Sequence, residues 1–334
     1  MSAGNDVKML TMKATRGLPW LLCGLWMLSL NGLPRQQTER IRVQTTLVNV
    51  PVMVSDRLGA TVSGLGADDF VLYDDGIRQP LAFFVAAAAP IQMALVIDTS
   101  KSTTTVLDGI RKAAVGFVAQ LRPEDQAMVV SFDSEVHILC RLGADEVELR
   151  RAVRSAEVGE YVGTKMCDAV ALVANKYLRG SQGRKAIVLL TDGQDYGSDI
   201  AQDDMIRAVL DAGVVVYPVF YAVSRRELVK KLFGVTLPKG PAGGAGWEED
   251  ERAAAALLRR TAEESGGVFY RSESADFRRT FAKVAEELRH QYLLAFYPDP
   301  SRADDAPHTL TVAVSLPDLV VRARRSYRVA SGIR

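Results

Sequence analysis

Val96-Ile97-Asp98-Thr99-Ser100-Lys101-Ser102-Thr103 closes a continuous apolar run that begins at Met93. An apolar run without alternation is the pattern of a strand covered on both faces, as in the parallel sheets of α/β proteins. At the end of this run the chain places an acid and two hydroxyls at alternate positions: Asp98, Ser100 and Ser102. Val106, Ile110, Ala113, Ala114, Phe117, Val118 and Leu121 then recur at helical spacing. A buried strand therefore runs directly into a polar turn and a helix.

The same alternation continues downstream. The spacing predicts helices near 145–155, 165–178, 203–212 and 275–289, and buried strands at Ala186–Leu190, Val214–Phe220 and Gly266–Arg271. Ala127–Phe132 and Val136–Cys140 flank Asp133-Ser134-Glu135 and read as a hairpin. Strands alternating with helices give a doubly wound, mainly parallel sheet flanked by helices. β-rich segments bracket this α/β block. "FVLYDDGIRQPLAFFV" carries the hairpin signal Asp74-Asp75-Gly76, and "AAAAP" (86–90) reads as a linker. "QYLLAFYP", "HTLTVAVSL" and "LVVRARRSYRV" follow the last helix. The expected architecture is an α/β domain over 91–289 with a small β-sandwich-like domain built from the two ends of the chain. Its parts are an N-terminal β segment, 36–88, and a C-terminal β segment, 290–334, packing against it. The sequence Gly240-Pro241-Ala242-Gly243-Gly244-Ala245-Gly246 reads as a mobile insertion.

The chain has 334 residues, 48% hydrophobic and 24% charged, with a net charge of +1. That is globular composition, and no basic excess points to nucleic acid or an anionic membrane. Lys8, Lys13 and Arg16 precede the apolar run Leu18–Leu30. This run suits the core of a signal peptide and is short for a spanning helix, which needs about 20 residues. Residues 1–35 are expected to be a signal peptide or signal anchor, and the remainder exported, extracellular or periplasmic. Contact with a membrane is expected only if this segment stays uncleaved. Cys23 falls inside the apolar run, which leaves Cys140 and Cys167, read as buried free thiols with a disulfide left open. His137, His290 and His308 are scattered and read as structural.

In open α/β sheets ligands bind beyond the carboxyl ends of the strands. Asp98, Ser100 and Ser102 leave one buried strand at that edge, Asp192 leaves another, and Thr164 precedes a helix that starts there. The donor set is two carboxylates and three hydroxyls. Oxygen-only donors suit Mg²⁺, with Mn²⁺ as the alternative, and argue against zinc or copper. Each piece alone is ordinary: Ser102, Thr103 or Thr164 would serve as helix caps, and Thr191-Asp192-Gly193 as a turn. Asp168 and Asp195 read as a helix-face and a loop residue, with a part in orienting the site as the alternative.

Asp98-x-Ser100-x-Ser102, then Thr164, then Asp192, resembles the metal-ion-dependent adhesion site of von Willebrand factor A domains. The likeness spans about residues 91–289. The flanking segments "VNVPVMVSD", "DDFVLYDDGIRQPLAFF" and "HQYLLAFYP" resemble bacterial von Willebrand A-related proteins of the acidobacterial type. The resemblance implies that Ser100, Ser102 and Thr164 bind the ion directly, while Asp98 and Asp192 act through water or the serine hydroxyls. A neutral inner shell leaves the ion electrophilic and one position open for an Asp or Glu carboxylate of a protein partner. Lys101 and Lys165 flank these ligands and oppose a cation by Coulomb repulsion. The expected function is an exported, metal-dependent protein-binding module for adhesion or assembly, and not an enzyme. The alternatives are an A-domain subunit of a cytoplasmic ATPase-linked assembly and a Mg²⁺-dependent hydrolase. The sequence has no Gly-x-Ser-x-Gly elbow, Walker loop or zinc-hydrolase motif.

Overall fold

A computed structural model describes residues 47–143, 145–223, 225–235, 245–272, 277–299, 302 and 306–328. The expected signal segment and most of the Gly-rich insertion lie outside the described residues. In chain order the elements are β1 (Val48–Asp56), β2 (Phe70–Asp74), β3 (Ile77–Gln79), β4 (Phe83–Val85), β5 (Ile91–Asp98), α1 (Leu107–Val118), β6 (Gln126–Phe132) and β7 (Val136–Cys140). They continue with α2 (Glu146–Ser155), α3 (Met166–Leu172), β8 (Arg184–Thr191), α4 (Gln202–Ala212), β9 (Val215–Tyr221), α5 (Arg225–Phe233) and α6 (Ala245–Ser265). The last are β10 (Tyr270–Ser272), α7 (Phe277–His290), β11 (Tyr292–Phe296), β12 (His308–Val314), β13 (Leu319–Ala323) and β14 (Ser326–Tyr327).

The central sheet has the order β10-β9-β8-β5-β6-β7. It is parallel except at β7, which returns antiparallel to β6. The predicted strand at Gly266–Arg271 is confined to β10 at the sheet edge. Ala94, Val96, Ile187 and Leu189 face one core, and Met93, Leu95, Ala186 and Val188 face the other. The apolar run therefore has no polar side because both of its sides are interior. The helices α1, α2 and α7 cover the face of Met93 and Leu95. The helices α3, α4 and α6 cover the opposite face, together with a wider π turn, Val173–Leu178, that continues α3. Cys140 lies in the first core and Cys167 in the second, so the sheet separates the two free thiols. Burial pushes them up to about 11 and about 12, which leaves both protonated and inert.

Two antiparallel sheets accompany this layer, ordered β13-β1-β11-β4 and β14-β12-β2-β3. Val50, Val52, Val54, Leu72, Leu294 and Phe296 share one core between them. Pro51 lies within β1 although β1 has a neighbour on each side. It is tolerated because β11 pairs with Val48–Val52 while β13 pairs only with Val52–Asp56. Asp75 and Gly76 both have positive φ, 46° and 79°, as the Asp-Gly turn between β2 and β3 requires.

Candidate functional site

Strand β5 has β6 on one side and β8 on the other, and the helices that follow β5 and precede β8 lie on opposite faces. Such a switch in direction leaves a crevice at the carboxyl ends of the strands. Asp98 ends β5 there and is fully buried. Its Oδ1 accepts hydrogen bonds from the Ser100 amide at 2.9 Å and the Ser100 hydroxyl at 2.6 Å. Its Oδ2 accepts from the Thr191 hydroxyl at 2.7 Å. The hydroxyls of Ser100 and Ser102 are 3.0 Å apart, and Ser102 hydrogen-bonds the Asp192 carboxylate. Asp98, Ser100, Ser102 and Asp192 thus form one connected chain of oxygens across the ends of β5 and β8.

These hydroxyls are not helix caps. Ser100 stands at the start of a short 3-10 helix, Lys101–Thr105, yet its side chain makes no capping bond and turns back to Asp98. Helix α1 begins after Val106 and α3 after Lys165, each without a side-chain cap. The capping alternative for Ser102, Thr103 and Thr164 therefore falls away. Thr103 instead donates to the Ser100 carbonyl at 2.8 Å, which tightens the turn.

Burial, and then Asp192, pushes the Asp98 carboxyl up to about 7. Burial also raises Asp192, Ser102 and the backbone bonds pull it back, and Glu251 of α6 raises it further. The two charges that raise this pair are both carboxylates, and Glu251 is itself paired with Arg271. An oxygen-lined, buried, acid-rich crevice of this kind fits a hard divalent cation, so the residues present are chemically suited to the ion that the motif implies.

Thr164 reaches this edge through its backbone. Its amide donates to the Tyr196 carbonyl at 2.9 Å, and the Tyr196 amide donates back to the Thr164 carbonyl at 2.8 Å. On the other side, the Lys165 amide donates to the Asp133 carbonyl at 2.7 Å. The loop before Thr164 lies so close to this hairpin that a Cβ at Gly159 would meet the Asp133 carboxyl at 2.5 Å. The Lys165 ammonium is matched by Asp168 at 3.2 Å and Asp199 at 2.9 Å, which offsets the repulsion expected from it. Gly193 follows Asp192 with φ +76°, and a Cβ there would meet Ala254 of α6 at 2.9 Å. This position needs glycine for both reasons.

The sequence motif did not assign roles to Thr191 or Glu251. Thr191 orients Asp98 and itself accepts the Gly193 amide at 2.8 Å, so it ties Asp98 to the turn that follows Asp192. Its position just before Asp192, at the end of a buried strand, was the available signal. Glu251 carried none, because its proximity depends on how α6 packs.

A second polar cluster lies in the antiparallel sheets. Asp74, Asp75 and His308 each bring a ligand-type atom within 4.8 Å of the others. Arg302 already spans both carboxylates there, 3.5 Å from Asp74 Oδ2 and against Asp75 Oδ2. His308 bonds Asp75 at 2.9 Å and Tyr327 donates to Asp74 at 2.9 Å. We read this cluster as a clasp between the β2–β3 turn, β12 and β14. His137 bonds Asp133 and His290 bonds the Glu286 carbonyl, so these two are also structural.

The von Willebrand factor type A domain model matches residues 92–240. This part of the chain is a von Willebrand factor A domain. No curated protein is matched by the sequence. An aerotolerance-related membrane protein from Bacteroides fragilis is similar at 14% identity and TM-score 0.46, over 60% of this chain and 98% of that one. The vWF domain of the type V pili tip protein Mfa5 from Porphyromonas gingivalis is similar at 13% identity and TM-score 0.45, over 60% and 95%. Proximal thread matrix protein 1 from the mussel byssus, in a structure with a zinc-occupied MIDAS motif, is similar at 15% identity and TM-score 0.47, over 64% and 49%. Among the described residues no helix is long and apolar enough to cross a membrane.

Proposed function

We propose that this A domain is a protein-binding module for adhesion or assembly that holds Mg²⁺ at Ser100, Ser102 and Thr164 and captures an Asp or Glu side chain of a partner. Asp98 and Asp192 act one bond further out, through the serine hydroxyls. The observation that carries this reading is the connected set Asp98–Ser100–Ser102–Asp192, in which both acids are buried and each is raised by burial and by a neighbouring carboxylate. When bound, the cation supplies a Lewis-acidic position that a carboxylate can fill. The serine hydroxyls donate hydrogen bonds to Asp98 and Asp192, which leaves their oxygen lone pairs for the ion. The neutral hydroxyls leave the positive charge largely unquenched, which is what an incoming carboxylate needs.

The reading further takes the module to be exported, with residues 1–35 as signal peptide or anchor. Residues 36–88 and 290–334 form a β unit around the A domain at 91–289, in the manner of the acidobacterial-type relatives. It is a binding module and performs no reaction.

A simple carboxylate tests the open position. With Mn²⁺ loaded on the full chain, the bound ion speeds water-proton relaxation through its exchangeable water. Acetate at millimolar concentration is expected to lower this enhancement saturably, while chloride at equal ionic strength leaves it unchanged. Equal effects of acetate and chloride would sink the proposed capture of a carboxylate.

A further inference from the structure

Thr164 and Asp192 belong to different elements, yet a common ion requires them to hold one fixed separation. Thr164 precedes α3, and Asp192 opens the loop that runs from β8 to α4. The paired backbone bonds between Thr164 and Tyr196 are the first tie between them. Two carboxylates supply the second. Asp195 Oδ1, from the loop, accepts the Cys167 amide at 3.0 Å and the Ser198 hydroxyl at 2.7 Å. Asp168 Oδ1, from α3, accepts the amides of Asp199 and Ile200, each at 2.9 Å. Ser198 Oγ in turn accepts the Asp168 amide at 3.3 Å. The loop therefore satisfies the open amides at the start of α3, while α3 satisfies the open amides of the loop. Helix N-termini leave such amides without intrahelical partners, so each carboxylate answers a need of the opposite element.

We propose that Asp168 and Asp195 are positioning residues for the ion site, joining the Thr164 and Asp192 loops into one rigid unit. This rests on the reading that the site takes a divalent cation. Neither residue touches the ion; they fix the separation of the groups that do. Outer partners of metal ligands are commonly worth about 10- to 100-fold in metal affinity. Ion binding and the joint should also stabilise each other, because such coupling is reciprocal.

The test titrates Mn²⁺ calorimetrically into the full chain as wild type, Asp168→Ala, Asp168→Asn and Asp195→Ala. The alanine variants are expected to bind about 10- to 100-fold more weakly. Asp168→Asn is expected to recover part of that loss, since one amide oxygen can accept both loop amides as Asp168 Oδ1 does, while Asp199 alone then faces the Lys165 ammonium. Hydrogen exchange read by mass spectrometry gives the second measurement. Mg²⁺ should slow exchange across 164–168 and 195–200 in wild type and not in Asp168→Ala. If Asp168→Ala does not fold, Ser198→Ala takes its place, because Ser198 joins the Asp195 carboxylate to the Asp168 amide. Alanine variants that lose thermal stability but bind Mn²⁺ as tightly as wild type would show a structural cap only and overturn the proposal. Wild type that binds no Mn²⁺ would overturn the ion-site reading itself, and this proposal with it.

Discussion

The Asp98→Asn variant is expected to be more stable than wild type in the absence of metal, and to bind Mg²⁺ about 10- to 100-fold more weakly. Asp98 is fully buried, and its carboxyl is pushed up to about 7 by burial and by Asp192. A carboxyl raised above its unfolded value, about 3.9, binds more protons in the folded state across the interval between the two values. Stability of the metal-free protein therefore falls as pH rises from about 4 to about 7, and stays at the lower level above that. Asparagine removes the charge and keeps the geometry. Its oxygen accepts from Ser100 as Asp98 Oδ1 does, and its amide group donates to the Thr191 hydroxyl. The gain at pH 8 should approach about 4 kcal/mol, the cost of ionising a carboxyl raised from about 3.9 to about 7, and should vanish below about pH 4. Urea unfolding with excess chelator at pH 4 and pH 8 measures it. Asparagine that destabilises at pH 8, or that binds Mg²⁺ as wild type does, would contradict the account.

Replacing Arg184 by methionine is expected to cost about 3–5 kcal/mol of folding stability. Arg184 opens β8 and is 2% exposed. Its guanidinium donates to the Leu288 carbonyl at 2.7 Å, to the Gln291 carbonyl at 3.1 Å and to the Ala89 carbonyl. One side chain thus ties the end of α7 and the segment entering β5 to the central sheet. Burial lowers its pKa to about 10, so the charge persists at neutral pH. Methionine fills much of the volume but leaves three carbonyls without this donor, and orphaned buried acceptors are expensive. The urea midpoint of the full chain gives the measurement; a loss below about 1 kcal/mol would show that water or neighbouring groups replace the guanidinium.

Much of this was legible in the sequence because it is local. Met93–Ile97 lacks polar positions because both faces of β5 are interior. Asp98, Ser100 and Ser102 share one turn, and Asp192 follows the next central strand. What could not be read depends on contacts remote in sequence. Asp168 meets Asp199 and Ile200 across 31 and 32 positions, so its spacing on α3 showed only an ordinary polar face. Arg184 is buried because α7 and the 86–90 segment close over it, both remote in sequence. Lys165 stood out as a threat to a cation, and only the fold brings Asp199 to its ammonium.

The most direct measurement is calorimetric titration of Mg²⁺ and Mn²⁺ into the full chain beside a Ser100→Ala, Ser102→Ala double variant, with circular dichroism confirming that both are folded. The account predicts saturable binding of about one ion per wild-type chain, lost in the variant, because those two hydroxyls are the inner ligands between Asp98 and Asp192. Folded wild-type protein that binds neither ion, or a double variant that binds as tightly as wild type, would contradict it.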